Sequence, residues 1–549
     1  MSIAPSAGGG RYAVIPLDPQ VAGSGLSLGS GSSVDGAGRR IAYGRGGYDQ
    51  DFIFVLDRPT GVLSRLYLDG SFSISKQISG SGRYFFFQGV AREGTVSFPM
   101  SRLDIDNGSI GRASQSSPIL FRADRAGQRV AYMHRPLGPE TPSQYFLYDF
   151  PSSTSTQLSD AADAIGIDPT APRCVFTQGG TPVISGDGER VIVITPSTLG
   201  LADRPWVEGA CNVLEYIVAQ RRWRRVATLP ARMRVEFPTI DDAGTLLSFI
   251  ATEPFGGTGR RTTPQLLSLE TGELVTLPPA LYTQAGFDSV VTRDGTSLVV
   301  SSRADLDPLG GNDDQNMEIF LLNLATMTFA QVTFSTGGIG TLPGGCSAFE
   351  PSRNDDGSVL VFATPILSIA PCQLDGPMRD ERTGMVLTRV RTVPRRAGNR
   401  APSLSWSGPT AVGVGEELVL RLAAEDPDGD PLTFFANALR DAITLPEVSL
   451  FAQDGPQTAT LRWQPSEAQR GTHDLRLAVF DEGGDVATTD VQVTVCGAVY
   501  DTPCRARAVA AIFGASAGSC GDASGDGEAT AADLVAVARR AHTCIPDVG

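Results

Sequence analysis

Lysine is almost missing from this sequence, and histidine is nearly as scarce. Lys76 is the one lysine among 45 basic residues, and His134, His473 and His542 are the only histidines. No C-x-x-C occurs, and no apolar run approaches the roughly 18 residues that a spanning helix needs. Each scarcity excludes something. Three histidines in three separate segments cannot cluster around a catalytic transition metal. Without C-x-x-C there is no zinc-ribbon pattern and no redox dithiol. A net charge of -15 with no basic patch offers nothing that could follow a phosphate backbone, which excludes nucleic acid as a partner. The short apolar runs exclude a membrane span. What remains is a chain of 549 residues, 41% hydrophobic and 19% charged, long enough for two to four folded domains.

One pattern recurs through the first 390 residues: a turn closing on glycine, one or two polar residues, then an apolar strand. It reads DGAGRRIAY at Asp35, GSGRYFFF at Gly80, DRAGQRVAY at Asp124, GDGERVIVI at Gly186, DDAGTLLSF at Asp241, RDGTSLVV at Arg293 and DDGSVLVF at Asp355. The turn glycines are Gly38, Gly82, Gly127, Gly188, Gly244, Gly295 and Gly357. Their spacing suits a four-stranded blade, which cannot bury both faces alone and gains partners by packing radially. The expectation is an all-β chain whose residues 11–391 form a seven-bladed β-propeller. YAVIPL at Tyr12 has strand composition and no hairpin partner, so it is expected to close the last blade beside MVLTRV at Met385.

These repeats resemble the WD40-like repeats of TolB-type propellers. DGERVIVI, RDGTSLVV and DDGSVLVF match the family's turn-and-strand element, and LLSLETGE and FLLNLATM match the strand that follows it. The resemblance implies a fold. It leaves the activity open, because propellers host hydrolases, lyases and binding platforms alike.

RTVPRRAGNRAPS, from Arg391, is rich in Pro and Arg and reads as a linker over 392–400. Beyond it, residues 401–496 alternate apolar and polar with frequent turn signals, the pattern of a β-sandwich. AAEDPDGDPLTF and WQPSEAQRGTHDL resemble elements of bacterial Ig-like and cadherin-like modules. That resemblance implies a calcium shell at Asp426, Asp428 and Asp430, with Asp481 on a neighbouring strand. The same residues also read as an Asp-capped turn.

The tail, 497–549, is expected to be a small α-helical unit. Its loop D-A-S-G-D-G-E-A-T-A-A-D sets Asp522, Ser524 and Asp526 at positions 1, 3 and 5, the Glu528 carbonyl at 7 and Asp533 at 12. This is EF-hand spacing: alternate side chains converge on one point and Gly527 permits the sharp turn. Loop and following helix resemble a dockerin repeat. Dockerins carry two such loops and hydroxyls at positions 10 and 11, where this chain has one loop and Ala531-Ala532, so the loop reads as a Ca2+ staple for a unit with little core.

The eight cysteines, Cys174, Cys211, Cys346, Cys372, Cys496, Cys504, Cys520 and Cys544, are even in number and widely spaced. Such a set points to disulfides and to an oxidising compartment: periplasm, cell surface or secretion from a bacterium. Cys174 with Cys211 and Cys346 with Cys372 each bracket a blade-sized excursion. The four tail cysteines allow three connectivities, and two antiparallel helices flanking the loop would favour Cys504 with Cys544 and Cys496 with Cys520. MSIAPSAGGG lacks both the charged and the apolar region of an export signal, so the numbering is expected to start after its removal.

No catalytic residue is assigned. GLSLG at Ser27 and GASAG at Ser516 lack the strand–turn–helix context of a nucleophile elbow. The acidic loop Asp305, Asp307, Asn312, Asp313 and Asp314 reads as a solvated turn. The expected function is a secreted, non-enzymatic scaffold that binds a protein or glycan at the cell surface. The alternatives are a propeller-based polysaccharide lyase or glycoside hydrolase, and a self-assembling structural subunit.

Overall fold

Some strands before residue 397 are buried along all or almost all of their length, while some after it bury alternate residues. RVIVIT (Arg190–Thr195) is buried at all but its first residue and SLVVSS (Ser297–Ser302) throughout, as in strands covered on both faces. LVLRLAAE (Leu418–Glu425) buries every second residue, as in a sheet with one face in water. The computed structural model describes residues 12–17, 32–47, 50–67, 72–89, 100–113, 118–134, 144–159, 181–195, 210–230, 233–255, 259–277, 289–302, 304–307, 318–333, 349–364, 388–438 and 450–496. These form two compact units that divide between Ala397 and Gly398. The described chain is all-β, and none of its helices is long and apolar enough to cross a membrane.

Among the described residues, the first unit holds seven four-stranded antiparallel sheets. Sheets 1 to 6 are meanders that start with the strands Ser32–Val34, Phe72–Ile78, Pro118–Ala123, Val183–Ile184, Arg234–Ile240 and Ser289–Val291. Sheet 7 starts with Phe349–Arg353, and its fourth place is taken by Tyr12–Pro16 from the other end of the chain. This closing strand, anticipated from YAVIPL, pairs antiparallel with Thr388–Pro394 from Tyr12↔Pro394 to Pro16↔Val390.

Backbone hydrogen bonds between successive turns close a circle. Gly36 N donates to Gly80 O, Ser81 N to Arg125 O, Arg125 N to Gly186 O, Gly186 N to Asp242 O, Asp242 N to Arg293 O, Asp294 N to Asp355 O, and Asp355 N back to Gly36 O, all at 2.7–3.0 Å. Apolar clusters fill the gaps between adjacent sheets in the same order. The last unites Leu17, Val359 and Val361 with Val34, Ile41, Tyr43 and Leu56, joining sheet 7 to sheet 1. Sheets arranged radially around an axis in this way are a β-propeller, with the first strand of each sheet innermost.

Each turn is built alike. Its glycine takes a φ of 67–74°, which side chains oppose. Three residues earlier stands Asp35, Ser79, Asp124, Ser185, Asp241, Thr292 or Asn354, each buried. The side-chain oxygen of each accepts a backbone N–H four or five residues on, at 2.7–3.1 Å. Arginines two residues after the glycine lock neighbouring turns together: Arg40, Arg129 and Arg190 donate to the carbonyls of Gly82, Gly188 and Gly244 in the next sheet. A lysine has no planar fork to fix such a contact while also pairing with carboxylates.

Among its described residues, the second unit has two four-stranded sheets. One orders Ser403–Ser407, Leu418–Glu425, Thr458–Trp463 and Leu450–Gly455; the other orders Ala411–Gly413, Val486–Cys496, Gly471–Asp481 and Leu432–Ala438. One apolar cluster draws on both, with Leu420, Leu461 and Trp463 from the first and Phe434, Leu477 and Val493 from the second.

Candidate functional site

The second residue of each propeller turn lies on the hydrogen-bonded circle. In order around the axis these residues are Gly36, Gly80, Arg125, Gly186, Asp242, Arg293 and Asp355. Arg125 of sheet 3 reaches Asp242 of sheet 5, with Nη1 to Oδ2 at 2.5 Å, and Asp355 of sheet 7 through Nη2. These contacts raise the Arg125 pKa above its usual value, the bond to Asp355 contributing most. The glycines make room for this bridge. A Cβ on Gly36 would strike the Asp355 carboxylate, one on Gly80 the Arg293 guanidinium, and one on Gly186 would lie 2.6 Å from Asp242 Cβ.

Arg293, between the two aspartates in the circle, is 7% exposed, and burial holds its pKa below the usual value against the opposing pull of Asp242 and Asp355. Two further arginines stand on the strand side of the circle. Arg122 donates Nη1 to its neighbour's carbonyl, Phe121 O, at 3.0 Å, and Arg353 donates Nε to Val291 O at 2.6 Å. Burial lowers both pKa values, that of Arg353 to about 9 with the like charge of Arg293 adding to the effect.

In the second unit, Asp426, Asp430 and Asp481 each place a carboxylate oxygen within 4.8 Å of the others. Asp481 ends the strand Gly471–Asp481 and is fully buried; its Oδ1 accepts from Asp485 N and its Oδ2 from Asn399 Nδ2, both at 2.9 Å. Burial raises its pKa above the usual aspartate value, and the charges of Asp426 and Asp485 add to the rise. Asp426 Oδ1 accepts from the backbone N–H of both Asp428 and Asp430, while its Oδ2 is buried without a partner. Three hard oxygen donors, one of them orphaned, fit a calcium ion better than any soft metal. Asp428 turns away from this group: its carboxylate accepts from Arg400 N and Nε, each at 2.8 Å. Asn399, read from the sequence as linker, instead bridges Asp481 and Asp485. Gly483 is required beneath it, because a Cβ there would overlap the Asn399 amide.

The remaining expected residues divide simply. Asp522, Ser524, Asp526, Glu528 and Asp533 lie outside the described residues, as do Cys174, Cys346, Cys372, Cys504, Cys520, Cys544, Ser27, Ser516 and His542. Cys211 is fully buried and disulfide-bonded. Cys496 ends the strand Val486–Cys496. His134 lies edge-on to Phe146, and His473 lies edge-on to Trp463 with Nε2 2.7 Å from Gln469 O, so both are occupied in packing. Asp305 is exposed and Asp307 accepts from Gln331 N at 2.8 Å, while Asn312, Asp313 and Asp314 lie outside the described residues.

No protein-family model matches the sequence, and no curated protein matches it. Solved structures similar to the chain are β-propeller proteins. Oligogalacturonate lyase from Vibrio parahaemolyticus is 11% identical with a TM-score of 0.45, covering 69% of this chain and 93% of that one. The β-propeller domain of the Trilobed protease from Pyrococcus furiosus is 7% identical with a TM-score of 0.40, covering 61% and 91%. A TolB-like protein from Agrobacterium tumefaciens is 14% identical with a TM-score of 0.32, covering 48% and 88%. Likeness at this level carries nothing about activity.

Proposed function

We propose that the chain is an exported, calcium-stabilised binding scaffold in which a seven-bladed propeller carries the recognition surface, a β-sandwich follows it, and a calcium-loop tail stapled by disulfides ends it. The observation that carries the calcium reading is the Asp426, Asp430 and Asp481 group, with Asp481 fully buried and Asp426 Oδ2 orphaned. Three carboxylates so close repel one another without a counterion, and calcium would accept the free oxygen lone pairs. The ion would order the turn Asp426–Asp430 against the strand ending at Asp481, which is a structural role.

Binding rather than hydrolysis is supported by the axial carboxylates. A glycosidase needs two carboxyl groups free to act as acid and as base or nucleophile. Asp242 and Asp355 are instead bridged by a single guanidinium. The lyase or hydrolase alternative would place its chemistry elsewhere on the propeller. The ligand is a protein or glycan met at the cell surface.

Differential scanning calorimetry of the full chain with calcium and with EGTA tests the reading. Calcium should raise the transition of the second unit, and Asp481→Asn should remove most of that rise. Incubation with acidic and neutral polysaccharides should leave them uncut. A melting profile indifferent to calcium would refute the stabilising role, and steady release of oligosaccharide would replace the scaffold with the enzyme.

A further inference from the structure

The axis of the propeller carries more positive charge than its architecture uses. Arg125 is neutralised by Asp242 and Asp355, which close the turn end. Among the described residues, Arg122, Arg293 and Arg353 have no carboxylate in hydrogen-bond contact. Arg122 and Arg353 each give one hydrogen bond to a backbone carbonyl. Arg293 is more than nine-tenths buried, and its Nε has no partner. Each guanidinium carries five donors, so most of this set is unspent.

The three are neighbours by construction. Arg293 lies on the backbone circle, beside Asp242 and one link from Asp355. Arg353 is two residues before Asp355 and donates to Val291, two residues before Arg293. Arg122 is three residues before Arg125 on its own inner strand. At about 3.3 Å per residue, Arg122 and Arg353 therefore stand roughly 7–10 Å from the circle along the axis, on the strand side. The floor of this cup is the Arg125 bridge.

We propose that the axial channel on the strand side of the Arg125 bridge binds one oxoanion group, a carboxylate or a phosphate, held by Arg122, Arg293 and Arg353. Planar guanidinium forks match both anions with paired N–H···O bonds. A buried guanidinium with an unpartnered Nε, as at Arg293, is costly, and an anion seated beside it and between the half-buried Arg122 and Arg353 removes that cost. The proposal rests on reading the propeller as a binding scaffold and names the chemistry of its ligand.

Isothermal titration of the full chain at constant ionic strength is the test, with inorganic phosphate in one arm and glucuronate in the other. Saturable heat at one site per chain is expected in at least one arm. Tighter phosphate binding identifies a free inorganic oxoanion as the source, and tighter glucuronate binding identifies the carboxylate of a sugar acid. Arg293→Gln, Arg122→Gln and Arg353→Gln should each weaken binding by about tenfold or more. Arg39→Gln, at an exposed arginine paired with Asp57, should leave it unchanged. If Arg293→Gln fails to fold, the two inner-strand variants decide. No saturable heat in either arm, or wild-type affinity in both Arg122→Gln and Arg353→Gln, overturns the proposal. A chain that binds neither anion yet keeps its calcium-dependent melting loses this site and retains the scaffold.

Discussion

Removing two buried side chains of the closing segment, Ile15 on its strand and Leu17 just after it, should open the propeller at one seam. Ile15 is fully buried and Leu17 is 2% exposed, and they stand two residues apart, on one face of the extended chain. Leu17 packs with Val34, Ile41, Tyr43 and Leu56 of sheet 1 and with Val359 and Val361 of sheet 7. Its carbonyl also accepts from Tyr43 Oη at 3.2 Å. Truncating a buried Leu or Ile to Ala costs about 2–5 kcal/mol, so Ile15→Ala/Leu17→Ala should cost at least about 4 kcal/mol if the two effects add. Against a total stability on the order of 5–15 kcal/mol, that loss is large. It corresponds to about a thousandfold rise in the population with the seam open. Hydrogen exchange followed by mass spectrometry reads this directly, because Thr388–Pro394 pairs with the closing strand over Val390–Pro394 and the alternate amides of that stretch that bond to it lose their partners. Their protection should fall by about that factor, with a smaller fall in sheet 4 across the ring. Val62→Ala, at a side chain 55% exposed, should change stability by less than about 0.5 kcal/mol. If the double variant keeps the protection of Thr388–Pro394 within a factor of about ten of wild type, the closing strand does not hold the ring.

Other perturbations separate the turn, the axis and the second unit. Asp241 accepts from Thr245 N, Leu246 N and Thr245 Oγ1, so Asp241→Ala should lower stability by about 1–3 kcal/mol in urea unfolding, with Asp241→Asn losing less. Gly186→Ala should cost about 1–3 kcal/mol by overpacking against Asp242, a side chain already held by Arg125; a neutral result would mean the axial charges are looser than drawn. Asp481 has a raised pKa in the folded state, so without calcium its contribution destabilises the second unit at neutral pH and fades as pH falls through that raised value toward the ordinary aspartate range. With calcium present the sign reverses, since protons then compete with the ion; melts monitored through Trp463 in EGTA and in calcium should diverge in this way.

What the sequence made legible is what every sheet repeats. The turn glycine recurs seven times because each hairpin needs the same positive φ, and YAVIPL stood out because a strand without a local partner must pair at long range. The oxygen-bearing residue three before each glycine is just as regular. It escapes notice because Asp, Ser, Thr and Asn are interchangeable as turn acceptors and share no letter. The acidic motif in the second unit was legible only in part. Its spacing offers three aspartates and the family resemblance adds Asp481, which does join Asp426 and Asp430, but the turn directs Asp428 to Arg400, and tertiary packing brings in Asn399, which was read as linker.

The axial cluster was hidden for a different reason. The second turn position reads G, G, R, G, D, R, D in successive repeats, and nothing local marks a partner for any of these charges. Arg125 meets carboxylates 117 and 230 residues away only because the ring closes. Residues constant across the sheets answer a demand made at every sheet, which is architecture. At the axis seven equivalent positions face one another, so the demand there is met collectively: three glycines cede space and four charged residues fill it. A surplus of arginine at such a place cannot be explained by any blade taken alone, and for that reason the axis, rather than the repeats that frame it, is where recognition should be sought.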